Sequence, residues 1–172
     1  MTLRLPLLFT LFCLCFSTAS AFGAPSWGRA QNDMQLGIEW GSESNQSGSV
    51  VRISMKNVGS HKREITIGID GSAGPVYDVK IVAVGSHEMD EYVAFDLNAL
   101  KMEGTPFPLS KSVILEPGAT YVFAYPVRQL ICVVDRKDTP LEDLLKQGYS
   151  VRASFETVVI QVQTPELAPI NK

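Results

Sequence analysis

The chain has 172 residues, of which 45% are hydrophobic and 19% charged, with 15 Lys and Arg against 18 Asp and Glu and a net charge of −3. Weakly acidic and dispersed charge offers no basic stripe for phosphates, so nucleic acid is not an expected partner. With three cysteines, two of them in the first fifteen residues, a disulfide-stapled scaffold is excluded as well.

Residues 1–21 read as a signal peptide. Arg4 supplies the positive start, an apolar run from Leu5 to Phe16 follows, and Ala19-Ser20-Ala21 offers a small-residue cleavage site, with a second at Ala24. The run falls short of the roughly 20 apolar residues that span a bilayer. Cys13 and Cys15 follow Phe12 and Leu14, bulky residues where a lipoprotein site needs a small one, so both leave with the signal. The exported chain, secreted or periplasmic, then loses one basic residue and carries 14 against 18 acidic ones, a net charge of −4. No second long apolar segment follows, so no membrane span is expected in the mature chain.

Residues 22–33 are small, polar and unpatterned, a flexible leader. Met34, Leu36, Ile38 and Trp40 then alternate with Gln35, Gly37 and Glu39, the period of a strand with one buried face. Val51, Ile53 and Met55 repeat the pattern up to the turn at Asn57-Val58-Gly59-Ser60. Ile65, Ile67 and Ile69 repeat it again up to Asp70-Gly71. Val76 to Val84 is nearly continuous in apolar residues and reads as a more central strand. Residues 85–110 have no assigned structure, although Tyr92 to Leu97 has strand character. Ser112 to Leu115 and Thr120 to Val127 read as a hairpin around Glu116-Pro117-Gly118, proline and glycine taking the two corners of the turn. Leu130 to Val134 continues as a strand past the irregularity at Pro126.

One short connecting helix is expected near residues 140–147, with Thr139 as its cap, Pro140 in the first position, Glu142 completing a capping box and Gly148 as the left-handed stop. Tyr149, Val151, Ala153 and Phe155 form another strand. Val158, Ile160 and Val162 form the next with opposite parity, which requires a bulge or tight turn near Glu156-Thr157. The expected domain spans residues 34–163, and 164–172 is a C-terminal tail.

This succession of short strands, the late Leu115-Glu116-Pro117-Gly118 turn and the stretch Gly148-Tyr149-Ser150-Val151 resemble immunoglobulin-like and fibronectin type III-like modules of secreted proteins. The resemblance implies an all-β, antiparallel β-sandwich in which Tyr149 hydrogen-bonds back to the segment before it. The Cys…Trp…Cys framework of antibody domains is absent, and Trp40 falls in the first strand.

Chemistry is sparse. His87, Glu88, Asp90 and Glu91 are the densest group of potential metal ligands, but Glu91 stands where a zincin helix needs its second histidine, and a solvated acidic loop is the expectation. Asp70 to Gly74 reads as a hairpin loop, His61-Lys62-Arg63 as a basic turn tip, and Asn45-Gln46-Ser47 as a glycosylation sequon. Cys132, alone after maturation, sits in an apolar run and reads as a core residue. No cofactor and no catalytic residue is expected. The expectation is a non-catalytic module binding a protein or glycan through loops or an exposed sheet face. The alternatives are an inhibitor or accessory domain for exported proteases, acting through Thr105 to Ser110, and an enzyme with a dispersed site.

Overall fold

The computed structural model describes residues 24–42, 48–68, 79–87, 90–96, 110–156 and 161–169. The signal peptide, the Asn45 sequon, the Asp70 loop, Glu88 and the Thr105 segment lie outside them. The described residues form antiparallel sheets with a single α-helix among them.

The first sheet grows from the clearest alternation. Strands β2 (Met34–Ser42) and β3 (Ser49–Asn57) pair with Leu36 opposite Met55 and Ile38 opposite Ile53, so one face of both is fully buried. β1 (Ser26–Trp27), inside the expected leader, pairs with β2 through a two-residue turn. Asn32 and Asp33 hold φ of 47° and 66° there, left-handed values that these two residue types tolerate best.

β4 (Arg63–Gly68) pairs with β7 (Ser110–Leu115), whereas β8 (Thr120–Pro126) pairs with β3. The expected hairpin of residues 112–127 is therefore not formed. The turn itself is as read: Gly118 has φ of 78°, and the Ala119 N–H donates to Glu116 O at 2.9 Å. It serves as a corner instead, because Asn57 occupies its edge. The Gly118 N–H donates to Asn57 O, the Asn57 N–H donates to Ala119 O, and the buried Asn57 amide donates to Leu115 O at 2.9 Å and His61 O at 2.8 Å. The chain so changes partner on both sides of this knot.

The second sheet has the order β10-β9-β6-β5-β11-β12. Its strands are β5 (Val79–Val84), β6 (Glu91–Asp96), β9 (Leu130–Val134), β10 (Lys137–Pro140), β11 (Ser150–Glu156) and β12 (Gln161–Gln163). The segment without assigned structure thus supplies β6, in the middle of the sheet. A 3₁₀ turn, Val127–Gln129, follows Pro126 as the irregularity before β9. The helix α1 (Leu141–Lys146) buries Leu141 and Leu144 and stops at Gly148, φ 94°. Its start differs from the expectation: no side chain caps it, since Thr139 and Pro140 are the last residues of β10, opposite Cys132 and Ile131. The reversal near Glu156 is a hairpin, with Glu156 opposite Gln161.

The four- and six-stranded sheets and the two-stranded β4–β7 sheet close on one interior, to which β4 and β7 add Ile65 and Leu115 and in which β2 lies against β11 and β12. The expected tail begins inside this assembly. Thr164 accepts the Ala153 N–H on its hydroxyl, Leu167 and Val151 exchange backbone hydrogen bonds at 2.7 and 2.9 Å, and the Trp40 indole donates to Ala168 O at 2.7 Å. Among the described residues no helix is long and apolar enough to cross a membrane.

Candidate functional site

The residues singled out for chemistry are dispersed by the fold. His87 is exposed in the β5–β6 connection, where its carbonyl accepts the Asp90 N–H at 3.0 Å. Asp90 turns toward Gly85 and Tyr149: a Cβ on Gly85 would stand 2.6 Å from Asp90 Cβ and 2.9 Å from the Tyr149 ring. Glu91 points to the opposite face and accepts from Arg152 at 2.8 Å. Among the described residues no three His, Cys, Asp or Glu side chains are placed to hold a metal ion. Cys132 is buried, its thiol weakly bonded to Tyr92 O at 3.9 Å, and burial pushes it up to about 11. A thiol so protonated is a poor nucleophile. Of the basic turn tip, Arg63 is taken by Asp33 at 2.5 Å and the His61 ring meets the Ser60 hydroxyl at 3.0 Å.

Tyr149 packs against Tyr92, ring centres 6.1 Å apart and tilted by 45°. Its hydroxyl is raised above the ordinary tyrosine range, first by desolvation, then by the nearby Asp90 carboxylate. These two rings close one end of the interior.

The unusual surface lies elsewhere, on the outward face of the second sheet. Side chains directly opposite in antiparallel strands share a face. Val82 lies opposite Val93 and Arg152, Asp138 lies opposite Val133, and one step beyond the Ala94–Cys132 pair sets Val133 opposite Val93. A row therefore runs Asp138, Val133, Val93, Val82, Arg152 across β10, β9, β6, β5 and β11. Phe95 and Ile131, opposite each other, flank it on the same face. None of these apolar side chains belongs to the interior cluster, which takes their neighbours Ile81, Ala83, Cys132 and Ala153 instead.

Val93 and Val133 are 39% and 49% exposed. Single exposed apolar residues are ordinary on any protein, and Val58, Ile114 and Val122 are of that kind, lying on segments that do not pair with one another. Val93 and Val133 are cross-strand neighbours, which makes a patch of two exposed valines over a buried third. Sequence reading missed it because β6 had no assigned structure. The signal was nevertheless present in Val79 to Val84 and Leu130 to Val134, runs without alternation, the pattern of strands covered on both faces. Set against known protein families, characterised proteins and solved structures, the chain matches none.

Proposed function

We propose that this chain is an exported binding module of immunoglobulin-like sandwich type, and that its contact surface is the outward face of the six-stranded sheet. The observation that carries the reading is the exposed pair Val93 and Val133, cross-strand neighbours on that face. Strands apolar on both faces imply cover on both, and at Val93 and Val133 that cover is missing. A four-stranded and a six-stranded antiparallel sheet, with the β4–β7 pair beside them, over one core support the sandwich type, and the apolar run ahead of Ala19-Ser20-Ala21 supports export. Binding is favoured over catalysis because the buried Cys132 and the exposed His87 stand on different parts of the fold, and among the described residues no three His, Cys, Asp or Glu side chains converge.

A photo-crosslinking side chain at Val133, compared with one at Val122 on the first sheet, tests the reading in the compartment to which the chain is exported. Adducts at Val133 and none at Val122 are expected. Equal yields, or none at either, would remove the face as a contact surface.

A further inference from the structure

We propose that the edge of β11 at Ser150 and Val151 is a strand-addition site for an extended peptide, occupied in this chain by residues 166–169 as a displaceable strap. The strap is marked off from the strand before it. Counting residue for residue from the Ser154–Gln163 pair sets Val151 opposite Glu166, yet Val151 stands opposite Leu167. One extra residue is therefore taken up at Pro165 and Glu166, a bulge at which proline has no N–H to offer the ladder. Up to the bulge the chain is anchored, since Thr164 is 5% exposed and accepts the Ala153 N–H. Beyond it Glu166 and Ala168 are exposed and Leu167 is half-buried.

The contacts that hold the strap are ones that another extended segment can make. Leu167 and Val151 exchange both backbone hydrogen bonds, the Trp40 indole donates to Ala168 O, and the Ser150 hydroxyl donates to the Glu166 carboxylate at 2.8 Å. Only the last of these reads a strap side chain. The partner that fits is thus an extended peptide with an aliphatic residue in the place of Leu167 and an acid before it, bound as an added strand. These few bonds and one half-buried leucine stand against the ordering of four residues, so the strap opens more readily than the ladders of the sheets. Lifting it leaves the Val151 N–H and C=O and the Trp40 N–H facing a vacated edge, which an incoming strand covers. The site stands across β6 and β5 from Val133. It is separate from the face proposed above, and its failure leaves that reading standing.

Amide exchange on residues 22–172 measures the opening. The Val151 and Leu167 N–H groups should exchange together, at least about 100-fold faster than those of β3, which lies between β2 and β8. Protection equal to that of β3 would overturn the strap. A fluorescent peptide of residues 164–169, added to a chain ending at Thr164, measures the site. It should bind with a dissociation constant of roughly 0.1 to 1 mM, and at least about 10-fold more weakly to the intact chain, whose tethered segment competes at a millimolar effective concentration. The peptide with Leu167→Asp should not bind. Leu167→Asp in the intact chain, which keeps the Thr164 anchor, is a second acceptor and should also take up the unaltered peptide. A folded acceptor of either kind that binds it no better than the intact chain would refute the proposal. Unfolding of both variants would place the segment in the core and refute it equally.

Discussion

The outward faces of the two sheets solve the same problem in opposite ways. On the first sheet, backbone too bare to cover itself is roofed by long side chains. Trp27 lies over Gly37, the Arg52 guanidinium over Gly41, and the Lys56 ammonium 5.9 Å above the Trp27 ring. On the second sheet the roof is partial: Arg152 reaches across β5 to Glu91 at 2.8 Å and Val82 is buried, while Val93 and Val133 beside it stay exposed. The lesson is that the outward glycines of the first sheet are closed over by long side chains of their own chain, whereas the valine row of the second is closed only at its Arg152 end. The first arrangement adds local stability through aromatic and cation–π contact; the second leaves Val93 and Val133 as apolar area in water.

That contrast can be broken by substitution, beginning with the largest effect. Gly28, next to β1, has its backbone against the Gln163 carbonyl, which an added Cβ would approach to 1.8 Å. Gly28→Ala should therefore cost about 3 kcal/mol, since backbone cannot yield as a side chain does. Amide exchange at Val151 and Leu167, which lock the tail to β11, should accelerate with it; unchanged protection would show that the first sheet does not depend on this crossing.

Next comes Cys132, on the inner face of the second sheet, whose thiol rises from 9.0 to about 11 by burial. An acid protonated more tightly in the folded state contributes stability that is present below the unfolded value and is lost as pH rises through the folded one. Between about pH 9 and 11 the fold should lose on the order of 2 kcal/mol. Urea unfolding of Cys132→Ala beside the parent chain separates this slope from that of lysines and tyrosines: parallel slopes would refute it.

Gly37→Ala should cost about 1 to 2 kcal/mol, because its Cβ meets the Trp27 ring at 2.8 Å and the ring can move. Trp27 fluorescence, read in a Trp40→Phe background, should shift to the red, and an unshifted spectrum would mean that the roof is not closed. Arg136 has φ of 65° in the two-residue turn between β9 and β10. Arg136→Gly should raise stability by about 1 kcal/mol, as glycine is free of the left-handed penalty, and a lower melting temperature would contradict it. The smallest effect on folding is expected at the open face. Val133→Thr keeps shape and strand preference, so stability in urea should change by less than about 0.5 kcal/mol, and a larger loss would show that its side chain is covered by its own chain.

Legibility in the sequence followed how local the physics was. Met34, Leu36 and Ile38, Val51, Ile53 and Met55, and Val151, Ala153 and Phe155 all turn inward as their spacing indicates. Gly118 and Gly148 take the left-handed values that their turns need. By contrast β6 was legible only as strand character over Tyr92 to Leu97, without a face or a partner. Its residues Glu91, Tyr92, Val93, Ala94, Phe95 and Asp96 mix polar and apolar types because Tyr92 faces the rim of the core and Val93 the outer surface, so neither face reads as one class. The candidate contact face was equally hidden, since it is assembled from single residues of five strands.

Residue order alone determined where the chain is extended, where it turns and which side of each strand is greasy, because dihedral preference and alternation act within a few neighbours. Only the tertiary structure decided that β7 joins β4 and β8 joins β3, that β6 lies at the sheet centre, that residues 164–169 bind along β11, and that Val133, Val93 and Val82 align. Each of those outcomes is a choice among partners distant in sequence, made by whichever set of apolar faces and backbone hydrogen bonds closes together with least left unsatisfied.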